Sequence, residues 1–139
     1  MNESMYRQII MDHYKNPVNK TEIALEGYVE KEALNPSCGD RVTIYLLIED
    51  DIVKDIKWNG SGCSICCASS SVMTQELKGL PIQEAIKKVE LFEKMIHDGE
   101  INEVFEDAQA FSGVSKFPMR FKCAFISWDQ ASQIIKGEK

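Results

Sequence analysis

Three cysteines lie in sequence contexts that favour metal binding or sulfur chemistry. Cys38 lies in Asn-Pro-Ser-Cys-Gly-Asp at 35–40, Cys63 in Gly-Ser-Gly-Cys at 60–63, and Cys123 in Arg-Phe-Lys-Cys at 120–123. Each is at a predicted turn or helix start beside glycine, proline or a basic residue, where backbone N–H groups and positive charge favour the thiolate. We therefore interpret these three thiols as chemical groups rather than as small core side chains.

Two further cysteines, Cys66 and Cys67, lie in a predicted helix that follows Cys63. Buried cysteines often pack as small hydrophobic side chains, so these two are either core residues or extra thiols near the site. An odd total of five cysteines, two of them adjacent, does not suit a disulfide framework in a reduced compartment. The cysteine count therefore favours metal or sulfur chemistry.

The overall composition excludes several classes of partner. A net charge of −6 and a pI near 5.0 argue against nucleic-acid binding, which depends on clustered lysine and arginine. The N-terminal residues contain no apolar signal region, and the apolar run at 44–48 is too short to span a membrane. We expect a cytoplasmic protein that forms one domain over residues 1–139.

The hydrophobic pattern predicts an antiparallel hairpin at the centre of the chain. A helix is predicted over the first fifteen residues, ending before Asn16, and a strand is predicted from Gly27 toward residue 35. Residues 41–49 and 52–58 then form two strands around an acidic turn. This hairpin would bring Cys38 and Cys63, which are 25 positions apart, to the same end of the sheet.

The remaining elements are predicted to be mainly helical. Ser64 is expected to cap a helix that runs to residue 77, and Pro81 begins a second helix that ends near Gly99. Pro118 suits the first position of the last helix, which would place Cys123 one to two turns inside it. Residues 101–115 are the least periodic and are predicted to be partly loop. The fold class is therefore α+β, a three-stranded antiparallel sheet with helices packed on one face.

Other polar residues have simpler interpretations from the sequence alone. Asp40 follows Gly39, and on spacing alone its carboxylate would cap a turn. His13 and His97 lie on predicted amphipathic helices and are expected to be surface or boundary residues rather than metal ligands.

The combined motifs resemble the U-type iron–sulfur cluster assembly proteins, the family of IscU, SufU and the NifU N-terminal domain. The resemblance is carried by the 35–40 motif, by Gly-Cys at 62–63 followed by Ala-Ser-Ser-Ser at 68–71, and by a lone cysteine on the last helix. It covers nearly the whole chain and implies the SufE/NifU-like fold. In that family three cysteines and an aspartate hold zinc or a nascent [2Fe–2S] cluster. The ligands implied here are Cys38, Asp40, Cys63 and Cys123.

The sequence departs from the IscU pattern at two places, and in both it resembles the SufU branch. Lys122 replaces the histidine that precedes the last cysteine, and Lys-Phe-Pro-Met-Arg at 116–120 replaces the chaperone-recognition segment, which weighs against an Hsp70-type partner. The interval of 60 positions from Cys63 to Cys123 is also SufU-like. This likeness implies a zinc-bound sulfur acceptor for a pyridoxal-phosphate cysteine desulfurase. Cys38 would receive the persulfide and supply downstream cluster-assembly proteins or apo-proteins.

The donor set is chemically consistent with that resemblance. Three thiolates and one carboxylate fill a tetrahedral zinc shell, and the carboxylate makes such a site more exchangeable than a four-cysteine site. Metal binding also keeps a thiol deprotonated at neutral pH. Arg120 and Lys122 could moderate the negative charge of the site or guide an anionic partner group. The choice between sulfur acceptor and cluster scaffold, and so between zinc and iron, stays open.

Two other functions compete with this hypothesis. Cys63 and Cys66 form a C-x-x-C pair between a strand and a helix, which is the local context of a dithiol oxidoreductase. However, no βαβ unit precedes the pair, and Cys38 and Cys123 would have no role. A purely structural zinc module is the second alternative, but the chain has no second C-x-x-C pair.

Overall fold

The computed structural model describes residues 3–137 as an α+β structure, which confirms the predicted fold class. None of the helices within these residues has both the length and the apolar character needed to cross a membrane. The elements in chain order are α1 (Glu3–Lys15), β1 (Val29–Asn35), β2 (Asp40–Glu49), β3 (Ile52–Ser61), α2 (Ser64–Leu77), α3 (Ile82–Asp98), two 3₁₀ segments (Asp107–Lys116 and Pro118–Arg120) and α4 (Phe121–Ile135).

The three strands form an antiparallel sheet in the order β1-β2-β3. The buried side chains of β2 include Val42, Ile44 and Leu46, which occupy alternate positions of the strand. They join one hydrophobic core with residues of α2, α3 and α4. Asn35 pairs with Asp40, and Arg41 pairs with Ser61. The end of β1, the start of β2 and the end of β3 therefore lie at one end of the sheet, as the hairpin prediction required.

Aromatic stacking joins the two long C-terminal helices. The rings of Phe92 on α3 and Trp128 on α4 are parallel within 6°, and their centroids are 3.9 Å apart. Phe105 meets both rings edge-on, at 6.0 Å from each. All three side chains are fully buried. This cluster fixes α4, the helix that carries Cys123.

Buried serines connect α2 to its neighbours. The hydroxyl of Ser69 donates a hydrogen bond to the carbonyl oxygen of Ala124 at 2.5 Å and accepts one from the Trp128 indole N–H at 3.0 Å. Ser69 is fully buried, and Ala124 is the residue after Cys123. The hydroxyl therefore holds α4 at a fixed position along α2.

The expectation that His13 is a surface or boundary residue is wrong. His13 is only 7% exposed, and its Nδ1 and Nε2 atoms lie 2.8 Å from the Ser71 hydroxyl and from the Asp107 carboxylate, respectively. The small side chain of Ser71 leaves room for the imidazole between α1 and α2. His97, by contrast, is exposed, with its ring 4.3 Å from that of Phe121.

Several element boundaries differ from the predicted ones, and β3 extends three residues further than predicted, to Ser61. Ser64 is the first helical residue of α2 rather than its cap, because the cap is Cys63. Pro118 begins a separate 3₁₀ turn, so α4 starts at Phe121 and Cys123 lies in its first turn. The segment predicted to be partly loop contains a 3₁₀ stretch from Asp107.

Replacing Ser69 with alanine is expected to destabilise the protein by about 1–3 kcal/mol, because the buried Trp128 N–H loses its acceptor. Ser70→Ala is the matched control. Its hydroxyl is equally buried but donates to the Cys66 carbonyl oxygen one turn earlier in the same helix, so a loss within about 1 kcal/mol is expected. Urea unfolding followed by tryptophan fluorescence compares the two variants. Equal losses would show that the contact between the helices is not what Ser69 contributes.

Candidate metal centre

Cys38 lies on the four-residue loop 36–39 that joins β1 to β2. Its backbone N–H donates to the Asn35 carbonyl oxygen at 3.2 Å, and Gly39 closes the loop in the left-handed region, with φ at 69°. Glycine adopts that conformation without steric cost. The Cys38 side chain is half-buried, and its sulfur is 3.1 Å from the sulfur of Cys123.

The carboxylate of Asp40 connects the sheet to α2. Asp40 is only 2% exposed. One of its oxygens accepts a hydrogen bond from the Asn35 side-chain amide at 3.2 Å, and the other accepts from the backbone N–H of Cys63 at 3.0 Å. Spacing alone predicted that the Asp40 carboxylate would cap its own turn. The carboxylate instead bonds to Asn35 and Cys63. It is fixed at the end of the sheet by partners from two different elements.

Gly62 allows that carboxylate to lie against the start of α2. A Cβ atom at this position would be 2.3 Å from Asp40 Oδ1 and 3.0 Å from Asp40 Cα. The φ of 152° is also one that other residues rarely adopt. Glycine is needed here for the space and for the backbone conformation.

Cys123 is the fully buried thiol of the site. It lies in the first turn of α4, and the Asn35 side-chain amide is 3.7 Å from its sulfur. Burial raises the pKa of the Cys123 thiol, and hydrogen bonds with Cys38 and Asp40 raise it further. A bound cation would reverse this, because coordination to a metal deprotonates a thiol.

Three of the four predicted ligands form a compact group. The sulfur atoms of Cys38 and Cys123 and a carboxylate oxygen of Asp40 all lie within 4.8 Å of one another. The Cys63 sulfur is adjacent to this group but outside it. It accepts a hydrogen bond from the Cys66 backbone N–H at 3.4 Å. The proximity of Cys63 also contributes to the raised pKa of Cys123.

The two basic residues predicted to act at the site have different positions. The guanidinium of Arg120 hydrogen-bonds with Cys123, and this contact, with the charges of Cys63 and Cys123, raises the pKa of Arg120. Lys122 is also exposed, and it lines a groove together with Pro36 and Ser37 of the Cys38 loop. Arg120 is therefore the cation placed next to the thiols.

The adjacent cysteines of α2 lie behind the site. Cys66 is fully buried and Cys67 is 9% exposed. Burial raises the pKa of each thiol. The Cys67 thiol faces the carbonyl oxygen of Gly62, with the sulfur 3.9 Å from that oxygen. Neither thiol belongs to the compact group.

The donor set and its spacing fit zinc. Sulfur ligands lie at about 2.3 Å from zinc, so two ligand atoms of a tetrahedral shell are about 3.8 Å apart. Donor atoms of Cys38, Asp40 and Cys123 within 4.8 Å of one another can reach that spacing with small side-chain movements. The half-buried Cys63 is adjacent and can supply a fourth ligand by rotating away from Cys66.

Comparison with known proteins identifies the family. Residues 5–124 match the NifU-like N terminal domain family. The chain is 44% identical to the zinc-dependent sulfurtransferase SufU of Bacillus subtilis, over 99% of this chain and 93% of that protein. It is 32% identical to the iron-sulfur cluster assembly scaffold protein IscU of Streptococcus pyogenes, over 95% of this chain and 83% of that protein.

Structural comparison agrees with that assignment. The crystal structure of FiSufU from thermophilic Fervidobacterium islandicum superposes with a TM-score of 0.75 at 34% identity, and the match covers 94% of this chain and 96% of that one. The chain therefore belongs to the family of NifU-like N-terminal domains, as its motifs had indicated.

Sequence reasoning missed the residues that hold the ligands in place. Asn35 contacts both Asp40 and Cys123, but in the sequence it is only the residue before Pro36. The one available indication was that Asn35 is the first residue of the motif at 35–40, but the interpretation of that motif relied on its cysteine and its aspartate. The need for glycine at 62 could not be read either, since its neighbour Asp40 is 22 positions away.

Replacing Gly62 with alanine is expected to weaken zinc binding by about tenfold or more, because the new methyl group displaces the Asp40 carboxylate. Gly79→Ala is the matched control. Gly79 has a positive φ of 86°, but its Cβ would meet no atom within 4 Å, so that variant is strained without touching the site. Competition with a coloured zinc chelator measures both affinities. Equal affinities in the two variants would contradict the steric role of Gly62.

Proposed function

We propose that this protein functions in iron–sulfur cluster assembly as a zinc-dependent acceptor of sulfur from a cysteine desulfurase. The observation that carries the proposal is the pairing of a half-buried Cys38, on a short loop, with Asp40 and a fully buried Cys123. The 44% identity to the zinc-dependent sulfurtransferase SufU supports the same function. The proposal includes a reducing, cytoplasmic compartment, since the role needs free thiols.

We assign Cys38, Asp40, Cys63 and Cys123 as the zinc ligands. When bound, zinc would keep the cysteine thiols deprotonated at neutral pH. Asn35 and Gly62 position the Asp40 carboxylate, and Arg120 offsets part of the negative charge of the thiols. The chain thus provides both the donors and the contacts that orient them.

Cys38 is the acceptor that the geometry favours. Cys123 is fully buried in a helix, and the backbone of Cys63 is held as the N-cap of α2, whereas Cys38 lies on a loop. In the transfer, the Cys38 thiolate attacks the outer sulfur of the partner's cysteine persulfide. A new sulfur–sulfur bond forms on Cys38, the bond within the partner's persulfide breaks, and the partner cysteine leaves as a thiolate.

A scaffold for a nascent [2Fe–2S] cluster is the second function that the site supports. Its exchangeable donor is Asp40, since a carboxylate oxygen binds soft iron–sulfur units more weakly than thiolate does. The 32% identity to an IscU scaffold supports this function too. Iron and sulfide would then be cargo on Cys38, Cys63 and Cys123. A purely structural zinc module is less well supported, because Cys38 is accessible.

The partner surface that we propose adjoins the thiols. A groove of about 640 Å³ runs between α1, the start of α2 and the 3₁₀ segments, and ends at Arg120. Phe117, which lines this groove, is 61% exposed, and Met119, two residues further along the chain, is 89% exposed. Large apolar side chains exposed together often contact another protein. Their position four to six residues before Cys123 would bring a bound desulfurase to the acceptor site.

Cys38→Ser is expected to abolish persulfide formation on this chain, because the loop thiol is the accessible nucleophile of the group. The purified variant, with its zinc content measured, is mixed with a cysteine desulfurase and cysteine, and peptide mass spectrometry locates added sulfur after a short reaction. Cys67→Ser is the control and should retain the parental rate. Sulfur collected by the Cys38→Ser variant at the parental rate would contradict the assignment of the acceptor.

Met119→Asp is expected to slow sulfur transfer by about tenfold at limiting protein concentration, because a charge in an apolar contact is costly to desolvate. Zinc content should stay parental, since Met119 is not a ligand. Ile23→Asp is the matched control, as Ile23 is 70% exposed and lies between α1 and β1. Similar slowing in both variants would argue against a partner surface beside Cys123.

A further inference from the structure

A second dithiol pair lies at the start of α2, next to the proposed metal site. Cys63 is the N-cap of this helix, and Cys66 is its third residue. The backbone N–H of Cys66 donates to the Cys63 sulfur at 3.4 Å, so the Cys63 side chain is folded over the first turn toward Cys66. The zinc-acceptor function uses Cys63 but assigns nothing to Cys66.

The two thiols differ in access. Cys63 is half-buried and can be reached from solvent when no metal is bound, whereas Cys66 is fully buried. Of these two thiols, only Cys63 can therefore attack a small disulfide molecule from solvent. Cys66 can take part only by reaching Cys63 from inside the protein. In thiol–disulfide exchange, Cys63 would thus be the attacking cysteine and Cys66 the resolving cysteine.

The backbone spacing permits a bond between them. Residues three apart in an α-helix have Cα atoms about 5 Å apart, from a rise of about 1.5 Å per residue and a radius of about 2.3 Å. Disulfides span about 4.4–6.8 Å between Cα atoms. The bond therefore needs only side-chain rotation at Cys63 and Cys66, with α2 left in place.

We propose that Cys63 and Cys66 form a reversible disulfide by exchange with a low-molecular-weight disulfide when the metal site is empty. The Cys63 thiolate attacks one sulfur of glutathione disulfide, forming a mixed disulfide and releasing one glutathione thiolate. The Cys66 thiol then loses its proton to the released glutathione thiolate, attacks the Cys63 sulfur and releases the second glutathione as a thiolate. Two protein thiols are oxidised, one glutathione disulfide is reduced to two thiols, and the two protein protons pass to the glutathione thiolates.

The disulfide would act as a redox switch on metal binding. Cys63 cannot be a thiolate ligand while its sulfur is bonded to Cys66, so the oxidised chain lacks one of its four proposed donors. Metal bound at Cys63 should in turn protect the pair from oxidation. The exchange lies beyond the sulfur-acceptor function, and thiol content measures it without reference to sulfur transfer.

The test uses the whole chain, stripped of metal and incubated with glutathione disulfide without oxygen. Remaining thiols are alkylated, and the protein is digested with trypsin, which leaves Cys63, Cys66 and Cys67 on the peptide 58–78. We expect this peptide to lose two alkylatable thiols and to carry no glutathione. A zinc-loaded sample should keep all three thiols over the same time. If the peptide lost alkylatable thiols at the same rate with and without zinc, the proposed switch would be overturned.

Matched alanine variants identify the partner of Cys63. Cys67→Ala should form the internal disulfide as the parent does, whereas Cys66→Ala should stop at a glutathione adduct on Cys63. Circular dichroism checks that both variants fold, and Cys66→Ser replaces Cys66→Ala if the latter does not. An internal disulfide in the Cys66 variant would overturn the proposed pair, as would a cross-link from Cys63 to the peptide of Cys38 or Cys123.

Discussion

The buried carboxylate of Asp40 connects the parts of the molecule that form the site. It begins β2, accepts one hydrogen bond from Asn35 at the end of β1, and accepts another from the backbone of Cys63 at the start of α2. A carboxylate that is only 2% exposed is stable only where hydrogen bonds or positive charge compensate for lost solvation. The same contacts that satisfy Asp40 therefore align the loop of Cys38 with the helix that follows Cys63.

The thiols around this carboxylate divide into fixed and accessible ones. Cys123 is buried on a helix held by the aromatic stack of Phe92 and Trp128 and by the hydroxyl of Ser69. Cys38, by contrast, lies on a loop of four residues. A fixed framework around one thiol on a loop is compatible with ligand exchange, whereas a closed structural metal site fixes every ligand.

The sequence predicted this arrangement where the pattern was local or periodic. The strand pair around residues 50 and 51 and the placement of Cys38 and Cys63 at one end of the sheet followed from alternation and turn residues. Contacts distant in sequence could not be predicted in the same way. His13 is buried because Ser71, 58 positions away, leaves space for it, and no single-residue preference encodes that pairing. The start of α4 was misplaced because proline also suits a short 3₁₀ turn.

The contact between Cys38 and Cys123 spans 85 positions of the chain. During synthesis the two hairpins and α2 emerge from the ribosome long before the segment that contains Cys123. Until α4 docks, the emerged part offers Cys38, Asp40 and Cys63 without the buried thiol that completes the group. Contacts of such long sequence separation also form late in folding, because closing the intervening chain costs entropy. A metal site that includes Cys123 could therefore be complete only after the last helix has docked.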